Sequence, residues 1–246
     1  MEGCYTVDGM RLVLDAYATV HATFWGLSEN KNLATLESWS KHFLGAQDIH
    51  RQDSCLDLHE VPHRANIRLV RDTIGLGKLL AHLNSGPVTL CQGHAHSGQV
   101  LMLDDGQVRL VDYSWGLRAH PAIDIAGIFR FLEASQRQEH GEKLLRFYWD
   151  RLMEKLGSVD QEMKFDDFFE GYKIGCLFAG LYVASQAGDI RPSEESRAFF
   201  HTQFRFFDDD WILSVPHFED AVRGTDMVKL TARSSRSGTT IGSSFA

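Results

Sequence analysis

Residues 91–126 read CQGHAHSGQVLMLDDGQVRLVDYSWGLRAHPAIDIA. Two short apolar runs, 100–103 (VLML) and 108–111 (VRLV), flank Asp104-Asp105-Gly106-Gln107. Asp-Gly between such runs signals a β-hairpin, because both central residues of the tight turn tolerate positive φ. With Asp105 and Gly106 as the turn, Leu103 faces Val108, Leu101 faces Leu110 and Gln99 faces Asp112. Leu101, Leu103, Val108 and Leu110 then share an apolar face that should meet the core. The Gln99 amide oxygen and the Asp112 carboxylate emerge side by side at the open end, with His94 and His96 just upstream. An amide oxygen beside a carboxylate can hold a hard cation such as Mg²⁺.

Outside this stretch the pattern is mostly helical. Residues 11–25 place Leu14, Tyr17, His21 and Phe24 on one face, with Gly26 as a stop. His21 can be a ligand, but a buried histidine satisfied by a hydrogen bond is the better reading. Short helices are plausible at 33–43, a longer one at 65–83, and a short buried strand at 87–91. A helix at 124–134 is announced by Pro121 and by Asp124, an acid suited to the positive end of a helix dipole. Further helices are expected at 139–156, ended by Gly157, and at 165–186, whose Gly171, Gly175 and Gly180 suggest close packing. Another follows Ser193, a good N-cap, over 194–213. Asp208-Asp209-Asp210 reads as a solvated face before it reads as a ligand site. Residues 1–10 are expected to fray and 231–246, rich in Ser, Gly, Thr and Arg, to be disordered.

A chain of 246 residues with 16 Phe, 6 Tyr and 5 Trp can bury a sizeable core. The net charge of −8 argues against a nucleic-acid or acidic-membrane partner. Cys4, Cys55, Cys91 and Cys176 show no C-x-x-C spacing, which speaks against a disulfide framework and for a reducing compartment. No secretory signal is visible, and the most apolar long run, 172–187, is too short to span a bilayer. The expectation is a cytoplasmic protein.

The central stretch resembles the catalytic segment of the aminoglycoside phosphotransferase and choline-kinase-like family of small-molecule kinases. That segment runs H-G-D-x-H-x-x-N, a hairpin, an Asp followed by an aromatic, and a D-x-A opening a helix. The same frame here reads Gln92-Gly93-His94-Ala95-His96-Ser97-Gly98-Gln99, then Val111-Asp112-Tyr113, then Asp124-Ile125-Ala126. Val20-His21-Ala22 and Phe24-Trp25-Gly26 also resemble an L-H-A-x-F-W-G segment of some members. The likeness extends over residues 11–218 and is sharp only at 91–126.

The resemblance implies an α+β, mainly helical fold: the C-terminal lobe of the protein-kinase-like fold over 11–230, with a small β-hairpin at the site. It implies that His94 stands at the catalytic base and Gln99 at the metal-binding Asn. Asp112 stands unchanged at the Asp that holds Mg²⁺ on the ATP phosphates, and Asp124, with His96, would support the loop. The residues that would bind the nucleotide base are not indicated. The family's N-terminal lobe, with its β3-strand lysine, is expected to be absent, since the first lysine is Lys31, after the first helix.

The substitutions change the chemistry. Imidazole is larger than carboxylate and brings no negative charge when neutral. Gln in place of Asn moves the amide by one methylene, about 1.5 Å, which matters to Mg²⁺ and its near-ideal octahedron. The leading expectation is therefore a phosphotransferase-family protein that is catalytically impaired, a pseudokinase-like binding or regulatory module. A second is an active kinase using Mg and ATP on a small-molecule hydroxyl substrate, completed by an oligomer or partner chain that covers the site. A third is a histidine metal-binding protein using His94 and His96, with His120 as a third ligand. An exposed apolar patch is expected near 87–91 and the preceding helices, where the other lobe would dock.

Overall fold

The structure, a computed structural model, describes residues 5–26, 46–61, 64–65, 68, 72, 86–157, 164–187 and 191–198. Its described elements are mainly helical, with two small antiparallel sheets. In chain order they are α1 (Val7–Thr23), α2 (Ala46–Leu58), β1 (Thr89–Cys91), β2 (Val100–Met102), β3 (Val108–Leu110), β4 (Leu117–Ala119), α3 (Ala122–Phe129), α4 (Ala134–Leu156) and α5 (Phe165–Ala187).

Helix α1 starts four residues before the periodicity suggested, which corrects the expected fraying over residues 5–10; residues 1–4 lie outside the described residues. Thr6 is the N-cap: its hydroxyl accepts from Gly9 N at 3.1 Å, satisfying one of the orphan donors of the first turn. Tyr5 is tied down as well, donating its N–H to Phe131 O at 2.7 Å. Met10, Val13, Leu14, Tyr17, Ala18 and His21 form the buried face. Burying each large apolar side chain contributes about 2 kcal/mol before entropy is counted. This face packs along α4, which buries Leu144, Leu145, Tyr148 and Leu152. The chain leaves α1 at Gly26, which has φ 68° and donates to Val88 O at 3.0 Å.

Helix α3 is shorter than expected, and α4 begins at Ala134 instead of 139. The break lies at Glu133, whose ψ of 144° is extended. Buried Arg137, one turn into α4, reaches back to the carbonyl of Leu132 and satisfies an acceptor that α3 leaves open. Gly157, at φ 65°, ends α4.

Helix α5 lies against α3 and α2. The closeness depends on two of its glycines. A Cβ on Gly171 would stand 2.7 Å from the His120 ring, and one on Gly175 would stand 2.8 Å from Ala122 O. Helix α2 was not anticipated; it buries Gln52, Cys55 and Leu56. Helical residues 194–198 follow Ser193, whose hydroxyl accepts from Ser196 N at 3.0 Å, as an N-cap should. The expected helices at 33–43 and beyond 198, most of 65–83, the Asp208–210 run and the 231–246 tail lie outside the described residues.

Strand β1 pairs with β4, Leu90 opposite Arg118, and β2 pairs with β3, Val100 opposite Leu110 and Met102 opposite Val108. The hairpin is present but its register differs by one residue from the expected one. Gly106 N donates to Leu103 O at 2.9 Å and Leu103 N donates to Gln107 O at 2.8 Å, so three residues, Asp104 to Gly106, form the loop. Gly106 takes φ 79° after the turn, the left-handed position such loops need. One extra loop residue flips the faces of the first strand and leaves those of the second as expected. Val100, Val108 and Leu110 turn toward the core, while Leu101, expected inside, is 47% exposed. The apolar face of Leu101, Leu103, Val108 and Leu110 is therefore not formed.

Candidate functional site

The loop between β1 and β2, residues 92–99, sits on a buried polar layer. Asp124, 1% exposed at the start of α3, accepts from Gln92 N at 2.6 Å and Gly93 N at 2.9 Å. Its Oδ2 also lies 3.3 Å from His21 Nε2, and His21 Nδ1 lies 2.7 Å from the Tyr148 hydroxyl. Tyr17 donates to Gln92 Oε1 at 2.5 Å, and the Gln92 amide donates to Val111 O at 2.5 Å. Thr89 Oγ1 donates to His21 O at 2.8 Å. His21 is thus a core histidine with both ring nitrogens engaged. Tyr17 and Tyr148 are contributors that periodicity marked only as core.

Gly93 is the pivot of the loop. Its φ is 80°, and a Cβ there would stand 2.3 Å from Trp115 O and 2.4 Å from the Leu117 side chain. Any other residue would have to push the Tyr113–Leu117 backbone away. His96 accepts from Gly98 N at 3.1 Å through Nδ1 and so caps the short 3-10 turn at Ser97–Gln99. The half-buried His94 ring stands 4.7 Å, centroid to centroid, from His96 and 6.2 Å from the exposed Trp115.

Gln99 and Asp112 are together, though not in the pairing expected. Opposite Gln99 is Val111, whose N–H donates to Gln99 O at 3.0 Å. The contact with Asp112 is made by side chains: Gln99 Nε2 donates to Asp112 Oδ2 at 3.4 Å. The amide therefore presents its nitrogen to the carboxylate, not its oxygen. Gln99 Oε1 is buried and has no hydrogen-bond partner. Asp112 is exposed and adopts φ 59°, uncommon outside glycine and costing on the order of 1 kcal/mol. Its Oδ1 accepts from the Ser114 hydroxyl at 2.5 Å and Ser114 N at 3.2 Å. These Ser114 bonds, then the Gln99 amide and the nearby His94, hold the Asp112 carboxyl below the usual carboxylate range.

Magnesium fits these residues poorly as they stand. It takes oxygen ligands at about 2.0–2.1 Å in a near-octahedral shell. One Asp112 oxygen is occupied by Ser114 and the other faces an NH₂ group, while the amide oxygen points elsewhere. The ligand set of the third expectation does not assemble either. His120 is 5% exposed, stacks on Phe168 and accepts from Ala122 N at 3.2 Å. Among the described residues, the metal-capable group of three or more side chains is His21, Cys91 and Asp124, without His94, His96 or His120. Residues 87–91, one part of the expected apolar patch, are buried or half-buried, and most of the residues of the preceding helices lie outside the described residues. Leu101, Met102 and Trp115 carry the exposed apolar surface nearby.

No protein-family model matches the chain, and no curated protein matches it significantly. Among the described residues no helix is long and apolar enough to cross a membrane.

Proposed function

We propose that the chain is a phosphotransferase scaffold of the aminoglycoside phosphotransferase and choline-kinase-like type, built as the C-terminal lobe of the protein-kinase-like fold. In this reading it has lost efficient phosphoryl transfer and acts as a binding or regulatory module. The observation that carries it is a contrast within one loop. Asp124 holds the backbone of Gln92 and Gly93 at 2.6 and 2.9 Å, as a braced catalytic loop requires. The two positions that would do chemistry hold an imidazole at His94 and, at Gln99, an amide whose oxygen is turned away. Phosphoryl transfer rests on positioning and on charge placed in advance, and both substitutions remove placed charge or donors. The three free, buried cysteines support a reducing compartment, and this reading takes the chain as cytoplasmic.

The test is calorimetric binding of Mg-ATP to the natural chain and to the double variant His94→Asp/Gln99→Asn. The reading expects little or no magnesium-dependent binding by the natural chain and at least a tenfold gain in the double variant. Tight magnesium-dependent binding by the natural chain would favour the second reading, an active kinase acting on a small-molecule hydroxyl with the help of another chain. The ionised, exposed Asp112 beside His94 is the observation behind that reading.

A further inference from the structure

Beneath the loop, and apart from the Gln99–Asp112 mouth, lies a buried cluster of an imidazole, a thiol and a carboxyl group. Asp124 is 1% exposed, and its hydrogen-bonding partners are two backbone N–H groups and His21; among the described residues no lysine or arginine is paired with it. Cys91 lies in the same place, fully buried. The ligand atoms of His21, Cys91 and Asp124 all fall within 4.8 Å of one another. Buried charges are normally paired or bound to a metal ion.

The spacing is informative. His21 Nε2 and Asp124 Oδ2 are 3.3 Å apart, long for a charge-assisted hydrogen bond, which runs at about 2.7–2.9 Å. Two metal bonds of about 2.0 Å at the tetrahedral angle span about 3.3 Å. The surroundings resemble the outer shell of a metal centre. The other nitrogen of His21 is fixed by the Tyr148 hydroxyl at 2.7 Å, and the carboxylate is steadied by N–H groups on both oxygens.

We propose that His21, Cys91 and Asp124 bind a divalent transition metal of the zinc type, joining α1, β1 and α3 under the loop. A neutral imidazole, a thiolate and a carboxylate around a dication sum to zero, so the centre brings no net charge into the buried layer. Binding releases the thiol proton, which otherwise goes to the carbonyls of Ala119 and His120, each 3.5 Å from Cys91 Sγ. A nitrogen, sulfur and oxygen set selects zinc over magnesium or calcium. The site shares Asp124 with the loop brace of the function proposed above, while His94, Gln99 and Asp112 take no part in it.

The experiment uses the full chain isolated from zinc-supplemented medium and dialysed extensively. Stoichiometric zinc by plasma mass spectrometry is expected, with a lower melting temperature after removal by a strong chelator. Cobalt loading should give a thiolate-to-metal charge-transfer band in the near ultraviolet. That band should vanish in Cys91→Ser and persist in His94→Ala/His96→Ala. A metal-free chain that gives no cobalt band overturns the proposal. So does bound metal without the thiolate band, or metal lost only from the His94/His96 variant. Should Cys91→Ser fail to fold, His21→Ala is the second variant: loss of the band there supports the proposal and its persistence overturns it.

Discussion

Asp124 gathers more of the loop than any other side chain in the site. Two N–H groups and an imidazole converge on its carboxylate, out of contact with water. Asp124→Ala leaves those donors buried and unsatisfied, and should cost roughly 3 kcal/mol in urea unfolding. A loss below about 1 kcal/mol would mean that the loop is held by something else. Gln99 predicts the opposite behaviour. Its buried, unpartnered oxygen contributes no bond, so Gln99→Leu should change stability by less than about 1 kcal/mol, in either direction. A large loss there would show that the amide oxygen is engaged. Sequence reading marked His94, His96, Gln99, Asp112 and Asp124 because they fall in one motif. It ranked His21 as a satisfied core residue, and the structure gives that histidine two partners. Its partners were not legible: Tyr148 lies 127 residues from His21, and Asp124 lies 103. Helical periodicity says that such residues are buried, not which polar group each one meets.

At the scale of elements, the hairpin shows what a turn motif can and cannot specify. Asp105-Gly106 announced a reversal between two apolar runs, and a reversal is there. A glycine at positive φ serves a two-residue turn or a three-residue loop equally well. The choice between them moved the first strand's side chains to the other face, Val100 inward and Leu101 outward, while Val108 and Leu110 kept the core face. The register is tested directly by two substitutions. Val100→Asp places a charge on an 8% exposed site and should cost at least about 3 kcal/mol, whereas Leu101→Asp, on a 47% exposed site, should stay within about 0.5 kcal/mol. The reverse ranking would restore the two-residue turn. Helix boundaries were read with similar limits. Gly157 and Ser193 gave an end and a start correctly, because each acts through local backbone bonds. The split between α3 and α4 was misplaced, because it depends on buried Arg137 meeting a carbonyl outside its own helix. Helix α2 escaped notice because its sequence, AQDIHRQDSCLDL, has few apolar positions and buries Gln52 beside Cys55 and Leu56.

For the molecule as a whole, α1 and α4 are joined by charge as well as by packing. Asp15 accepts from Arg151 at 2.6 Å and lies 3.3 Å from Lys155. Partial burial would raise the Asp15 carboxyl, but the bonds from Arg151 and Lys155 outweigh it and hold the group below its usual value. A carboxyl lowered in the folded state adds stability above its unfolded value of about 3.9, and that contribution is lost as pH falls through the folded value. Asp15→Asn should therefore lower the melting temperature near pH 7 and leave it close to that of the natural chain near about pH 2. An equal deficit at both ends would show that the pair stabilises by packing alone. The helical architecture was legible from the sequence because amphipathic repeats carry it. Whether the site still works is a different matter, since motif spacing survives changes that abolish chemistry. In the function proposed above, the braced loop has outlived its phosphoryl-transfer activity. The most direct test of that function is ATP turnover by the natural chain with Mg²⁺ and a panel of small hydroxylated acceptors, run beside Asp112→Ala. The account predicts that the two chains are equal at background, and turnover by the natural chain that disappears in Asp112→Ala would contradict it.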